Sequence, residues 1–197
     1  MNYLAIDTST NICSAAFYYK SNIDTLKEID VKEHSKHLPI MCKNLVKNNI
    51  KEIDFIALSI GPGSYSGLKI GCSFAKGLAF SINKPIVPVS TFEGMNNQIK
   101  NKNKYFISLY SHKDYAFFQL YNSGLAQSRA VCDNISHMKD CKIFGYGFSG
   151  NLDSNQYKEI MPSAECIGSI ASKKYSKLVQ TEINNVSPVY LSKKVTI

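Results

Sequence analysis

Residues 55–81 read FIALSIGPGSYSGLKIGCSFAKGLAFS, and they constrain the fold more than any other stretch. FIALSI (55–60) is a continuous apolar run, which suits a strand covered on both faces. A Gly-Pro-Gly turn follows, and then a helix predicted over about 66–81. Such a unit requires a sheet with helices laid against it. Within the helix Gly67, Gly71, Ala75 and Ala79 recur every four residues and so share one ridge. Each helical glycine costs about 1 kcal/mol relative to alanine, so something must offset that cost. A ridge of small residues lets another element approach closely. That element is either the chain's own helix or sheet, or a helix from another protein. Ile70, Phe74, Leu78 and Phe80 give the same helix further apolar positions, enough to cover a sheet and leave a face for a partner.

The glycines do not make a standard phosphate loop. A Walker loop has four residues between its glycines, then Gly-Lys-Ser/Thr. Here five residues separate Gly61 from Gly67, Leu68 precedes Lys69, and Ile70 stands where a metal-binding hydroxyl belongs. Gly61, Gly63 and Gly67 are one residue too long for a dinucleotide fingerprint, and Pro62 removes a donor.

Around this block the chain alternates strands and helices. YLAI (3–6), SAAFYY (14–19) and an edge strand in DTLKEIDV (24–31) precede a helix over 35–48, with Leu38, Met41, Cys42 and Leu45 on one stripe. Pro39 is expected in its first turn. PIVPVS (85–90) is another strand, and a third helix starts near Thr91. After the polar linker NKNK, YFISLY (105–110), the turn SHKD and YAFFQLY (115–121) repeat the shape of residues 3–19. LAQSRAV (125–131) and KIFGYG (142–147) are further strands, a helix is expected at 164–178, and SPVYL (187–191) is extended. A duplicated three-stranded meander with crossover helices outlines an α/β fold of the ribonuclease-H-like type. Two copies make an actin-like ATPase architecture, here with a reduced C-terminal lobe. The expected lobes are 1–103 and 104–197.

Composition excludes several classes. No apolar run approaches the roughly 20 residues that span a bilayer, and MNYLAIDTST reads as a first core strand, so a cytoplasmic protein without membrane contact is expected. Six cysteines form no C-x-x-C pair, which argues against a disulfide framework or a zinc site. The net charge is +8, yet Arg129 is the sole arginine and the lysines are scattered without a basic run. That reads as solvated surface, with weak, salt-dependent attraction for RNA.

Three places carry polar residues suited to chemistry. IDTST (6–10) occupies the turn where actin-like ATPases hold phosphate and Mg²⁺. Asp7 suits a hydrated cation, and the hydroxyls of Thr8, Ser9 and Thr10 suit phosphate. Such ATPases usually place glycine where Ser9 stands, and the plainer reading is that Asp7 and Thr8 satisfy a tight turn. EHSKH (33–37) spaces His34 and His37 three apart, which is not the H-x-x-x-H of a zincin, and no metal site is expected. GYGFSG (145–150) is the sole candidate for a second nucleotide loop. No serine has a nucleophile elbow, and no cysteine has a catalytic context.

LAIDTST…CSAA, EHSKHLP, GPGSYSGLKIGCSFAKGLAF, PIVPVSTFE and the terminal PVYL together resemble the TsaB (YeaZ) family of bacterial tRNA threonylcarbamoyladenosine biosynthesis proteins. The resemblance is strong over residues 3–95 and thin over about 96–186. It implies the two-lobed actin-like fold and a non-catalytic role: pairing with TsaD, the transferase that modifies the adenosine beside the tRNA anticodon, joined by the ATPase TsaE. Carried onto this chain, the family's helix-bundle interface falls on Leu38, Met41, Leu45, Gly67, Gly71, Phe74, Ala75 and Leu78. Homodimers through the same surface are implied when the partner is absent, and tRNA is reached through the complex. No tightly bound cofactor is implied, with ATP or ADP and Mg²⁺ expected only where a partner completes a site. Many members carry an Asp-Ala-Arg-like turn where this chain has Ser111-His112-Lys113-Asp114. Two other functions remain open: an autonomous ATPase or small-molecule kinase, which needs a second phosphate loop, and a glycoprotease-like metallopeptidase, which needs metal ligands.

Overall fold

The run at 55–60 forms β4 (Phe55–Ser59), buried throughout, and the helix after the Gly-Pro-Gly turn is α2 (Tyr65–Ile82). They are seen in a computed structural model, which describes residues 1–148 and 152–192. Contacts divide the chain into two units: Met1–Gly94 with Pro162–Val189, and Met95–Met161 with the segment from Tyr190 onward.

In the first unit β1 (Tyr3–Asp7), β2 (Cys13–Tyr19), β3 (Asn22–Glu28), β4 and β5 (Ile86–Val89) make one sheet of order β3-β2-β1-β4-β5. The first three strands are an antiparallel meander, whereas β1, β4 and β5 are parallel. Parallel neighbours need a crossover, and α1 (His34–Val46) and α2 supply them. Side chains alternate along β1. Leu4 and Ile6 enter a core shared with α1 and α2, while Tyr3 and Ala5 enter a second core on the opposite face.

The second core is closed by α4 (Ala164–Lys173), whose Ala164, Ile167, Ile170 and Ala171 cover that face. The Ala164 amide donates to Ser14 Oγ over 3.0 Å, tying the helix start to β2. Gly168 permits the close approach: a Cβ there would lie 2.3 Å from the Tyr3 ring. That ring is stacked between Tyr18 and Phe55, at 5.1 and 5.2 Å, and has little room to yield.

This packing corrects the expected boundary at 103/104. The first unit ends at Gly94 and reclaims 162–189, because the face bearing Tyr3, Ala5, Phe55 and Ala57 needs a cover that its own crossovers do not provide. The helix expected at 164–178 exists as α4 and α5 (Tyr175–Leu178), after the short α3 (Thr91–Asn96) in chain order. Pro39 lies in the second turn of α1, not the first. It cannot donate to the Ser35 carbonyl, but both residues are exposed, so water can reach the freed group.

The second unit repeats the plan. Its strands are β6 (Lys104–His112), β7 (Tyr115–Asn122), β8 (Leu125–Ala126), β9 (Val131–Asn134), β10 (Lys142–Tyr146) and β11 (Tyr157–Glu159). The order is β11-β10-β6-β7-β8, with β9 also paired to β7. Again a hairpin (β6/β7) adjoins a parallel set (β6/β10/β11), so β6 and β10 correspond to β1 and β4. The copy is reduced: a single 3-10 turn (Ile135–His137) joins β9 to β10, where the first unit has α1. Ala116, Phe118, Met138, Ile143 and Phe148 form its core. The strand expected at 125–131 is split because Ser128 Oγ takes the Leu120 amide at 3.1 Å, replacing a ladder bond by a side-chain bond.

Candidate functional site

The turn after β1 and the start of α2 meet inside the first unit. Thr8 Oγ1 donates to the Gly67 carbonyl over 2.8 Å. A Cβ on Gly67 would lie 2.1 Å from the Thr8 carbonyl oxygen, and one on Gly71 would lie 2.3 Å from Thr8 Oγ1. The small ridge therefore lies against the chain's own turn. Farther along, Ala75 and Ala79 are buried in the core under α1. The strip at 67–79 is not a bed for a foreign backbone, because the sheet it must lie on ends in a bulky polar turn.

Further contacts tie the turn and the helix start together. The Ser64 amide donates to the Ser9 carbonyl at 2.7 Å. The Gly67 amide donates to Ser64 Oγ at 3.3 Å, capping the helix. A Cβ on Gly63 would fall 2.1 Å from the Ser9 oxygen, so not even a methyl group fits between the two segments. Gly61, at φ +109°, lies against the Val189 carbonyl. Of the amides in these two segments, those of Ser9, Ser64 and Gly67 are engaged within the chain.

Asp7, Thr8 and Ser9 are buried, and Thr10 is half-buried. The Ser9 amide donates to Asp7 Oδ1 at 2.9 Å, and Thr10 Oγ1 accepts from the Ile12 amide at 3.2 Å. Asp7 Oδ2 and Ser9 Oγ have no hydrogen-bond partner. Burial pushes the Asp7 carboxyl above the ordinary carboxylate range, and hydrogen bonding from Ser9 offsets part of that rise. Nearby, Ser59 and Thr91 share a hydroxyl–hydroxyl bond of 2.9 Å that the sequence reading did not anticipate. The carboxyl thus forms the turn through one oxygen and leaves the other without a partner.

The outer side of α1 and α2 is different. Ser35, Leu38, Pro39, Lys69, Ile70, Ser73 and Phe74 line an apolar groove of about 390 Å³ between the two helices. Of the residues expected at a partner interface, Gly67, Gly71, Ala75, Leu38, Met41 and Leu45 are buried within the unit, Leu38 forming part of the groove's lining. Phe74 and Leu78 are half-buried, packed against the core by one edge. Phe80 is 80% exposed near the end of α2. Of the expected interface residues only Leu38 and Phe74 line this groove; the others lie on the inward stripe of the two helices or, like Leu78, beside it. Lys69, Ile70, Ser73 and Phe74 facing Ser35, Leu38 and Pro39 follow the i, i+3, i+4 spacing, the signal that marks the outer one.

The histidines do not converge. His34 is buried, its Nε2 3.4 Å from the Ile12 carbonyl, whereas His37 pairs with Glu28. Among the described residues no three His, Cys, Asp or Glu side chains gather as a metal would need. Burial pushes the thiols of Cys13 and Cys42 up to about 12, so both stay protonated and unreactive. In GYGFSG, a Cβ on Gly145 would meet the Ser108 carbonyl at 2.6 Å, so that glycine serves sheet packing. Ser149 and Gly150 lie outside the described residues. No helix among the described residues is long and apolar enough to cross a membrane.

Comparison with known proteins gives the setting. The family model described as TsaD, tRNA N6-adenosine threonylcarbamoyltransferase, matches residues 26–111. The tRNA threonylcarbamoyladenosine biosynthesis protein TsaB of Haemophilus influenzae is 33% identical over 48% of this chain and 42% of its own. The TsaB protein of Buchnera aphidicola (subsp. Acyrthosiphon pisum) is 27% identical over 69% of this chain and 70% of its own. The match with the Haemophilus relative thus spans less than half of that protein's length. Among solved structures, YeaZ from Pseudomonas aeruginosa superposes with a TM-score of 0.80 at 22% identity, covering 96% of this chain and 99% of the other.

Proposed function

Since this chain belongs to the TsaB (YeaZ) family, we propose that it serves tRNA threonylcarbamoyladenosine biosynthesis as a non-catalytic subunit that pairs with a TsaD-type transferase. The observation that carries this reading is the apolar groove between α1 and α2, with Ile70 and Phe74 on its wall and no segment of the first unit laid over it. A helix from a partner of the same fold fills such a groove and completes a bundle. The polar turn at Asp7–Thr10, closed by the start of α2, supports a chain that leaves the chemistry to its partner. A TsaE-type ATPase joins the pair, tRNA is reached through it, and ATP or ADP with Mg²⁺ binds only where the partner completes a site. Without its partner the chain forms homodimers over the same groove.

The test is co-purification with the TsaD-type transferase and reconstitution of threonylcarbamoyl transfer. Wild type is expected to pair and to stimulate transfer, with no ATP turnover alone. Ile70→Glu with Ser73→Glu is expected to abolish both pairing and stimulation. Stimulation that survives those charges, or brisk ATP hydrolysis by the isolated chain, overturns the reading.

A further inference from the structure

The second unit gathers lysines that are far apart in sequence. A groove of about 930 Å³ beside β6, β10 and β11 is lined by Lys100, Lys104, Lys142 and Lys158, with Asp140 as the one carboxylate on its wall. All four lysines are exposed. No carboxylate among the described residues lies within ion-pair distance of any of them. Lys100 lies between α3 and β6, Lys104 opens β6, and Lys142 and Lys158 belong to β10 and β11, so no basic run announces the groove in the sequence.

An aromatic ring stands among these charges. In the parallel register of β10 and β11, Phe144 lies opposite Lys158, and Lys142 is two residues earlier on the same strand. Alternation puts Lys142, Phe144 and Lys158 on one face of the sheet, while Ile143 and Tyr157 face the core on the other. The half-exposed Phe144 ring meets the edge of Tyr105 at 5.4 Å and 82°. Tyr105 is itself fixed, fully buried with its hydroxyl donating to Asn96 at 2.6 Å. The result is a buttressed flat ring with two lysines at neighbouring positions on the same face of the sheet. Asn103 and Gln156 add amides to the groove wall.

This combination selects its ligand. A single small anion needs neither this length nor a ring, and an acidic peptide carries no flat group at regular steps beside its charges. A nucleic acid strand offers both, with a phosphate at every step and a π-face on every base. Lysine without arginine holds phosphates as point charges and does not read base edges bidentately. We propose that this groove holds an unstacked, single-stranded stretch of RNA, its phosphates on Lys100, Lys104, Lys142 and Lys158 and one base on Phe144. The choice of RNA over other polyanions rests on the functional reading above. The geometry itself predicts little sequence preference.

Fluorescence anisotropy of the full chain with a labelled single strand of about 12 nucleotides, and with a duplex of the same sequence, tests this. The single strand is expected to bind more tightly. The slope of log K against log salt should be about −3, at roughly −0.7 per neutralised phosphate. Lys142→Ala with Lys158→Ala should weaken binding about tenfold or more and make the slope shallower by about 1.4. Phe144→Leu fills most of the ring's space and removes its π-face. It should weaken binding about fivefold or more at unchanged slope. Absence of binding at low salt, equal binding of duplex, or wild-type affinity in either variant overturns the proposal. Ile70→Glu with Ser73→Glu separates the two readings. RNA binding kept while pairing is lost supports two independent surfaces, and pairing kept by a Lys142/Lys158 variant that has lost RNA leaves the pairing reading standing.

Discussion

The Thr8 hydroxyl donates to the Gly67 carbonyl across 2.8 Å, and the space one turn farther along α2 is held open for the same side chain by Gly71. One threonine thus sets how closely α2 lies on β1, and the helix supplies glycines where that threonine must fit. Gly71→Ala is expected to destabilise the fold by about 1–3 kcal/mol through overpacking, less up to about 1 kcal/mol from better helix propensity. Thr8→Ala is expected to cost about 1–2 kcal/mol for the lost hydrogen bond and methyl. The double variant should be less destabilised than the sum, since removing the hydroxyl makes room for the new methyl. Urea denaturation of the four proteins measures the coupling; strict additivity would refute the contact's role.

Ala75 and Ile70 should behave oppositely. Ala75 is fully buried in the core under α1, so Ala75→Leu should lower stability by about 1–3 kcal/mol. The pair Ile70→Glu and Ser73→Glu alters the outer groove and should leave stability within about 0.5 kcal/mol per substitution of wild type. Thermal melts together with a pairing assay separate the inward stripe from the outward one.

Asp7 gives the fold a pH signature. Its carboxyl is raised above the unfolded value by burial, so the folded state binds the proton more tightly than the unfolded chain. The associated stability is fully present below the ordinary carboxylate pKa and declines as pH rises toward the folded value. Asp7→Asn keeps the shape and removes the titration. The melting temperature of the variant relative to wild type should therefore climb as pH rises from about 4. A difference that stays flat with pH contradicts the burial argument.

The returning helix can be tested by cutting the chain. Residues 1–103 alone should fail to fold, because Tyr3, Ala5, Phe55 and Ala57 would face water without α4. Fusing 162–189 to residue 94 through a flexible linker should restore a cooperative unfolding transition. Cooperative folding of residues 1–103 by itself would contradict the division of the chain at Gly94. Gly168→Ala in the whole chain should destabilise by about 1–3 kcal/mol, since its Cβ enters the stacked Tyr3 ring.

Much of the fold was legible in local pattern. FIALS had to be a buried strand, and the doubled hairpin of 3–19 and 105–121 announced the duplication. What pattern hid was long-range choice. Nothing in the apolar stripe of α4 says that it covers β1 rather than β6, because an amphipathic helix records that it packs and not on what. The ridge at Gly67 and Gly71 correctly signalled a close approach, but the visitor was Thr8 of the same chain. The outer groove was weaker in sequence because its walls mix Ile70 and Phe74 with Lys69 and Ser73. Tyr157–Glu159 is three residues long, too short for its alternation to register as β11.

The return of residues 162–189 to the first unit also fixes an order of events at the ribosome. When Gly94 has emerged, the five strands of the first unit exist but one side of their sheet is still bare. It stays so while the second unit is made, for several seconds at about 5–20 residues per second. The sheet synthesised first therefore waits for its cover until the chain has reached the 162–189 segment, and a chaperone that shields apolar sheet surface has its natural client in that interval.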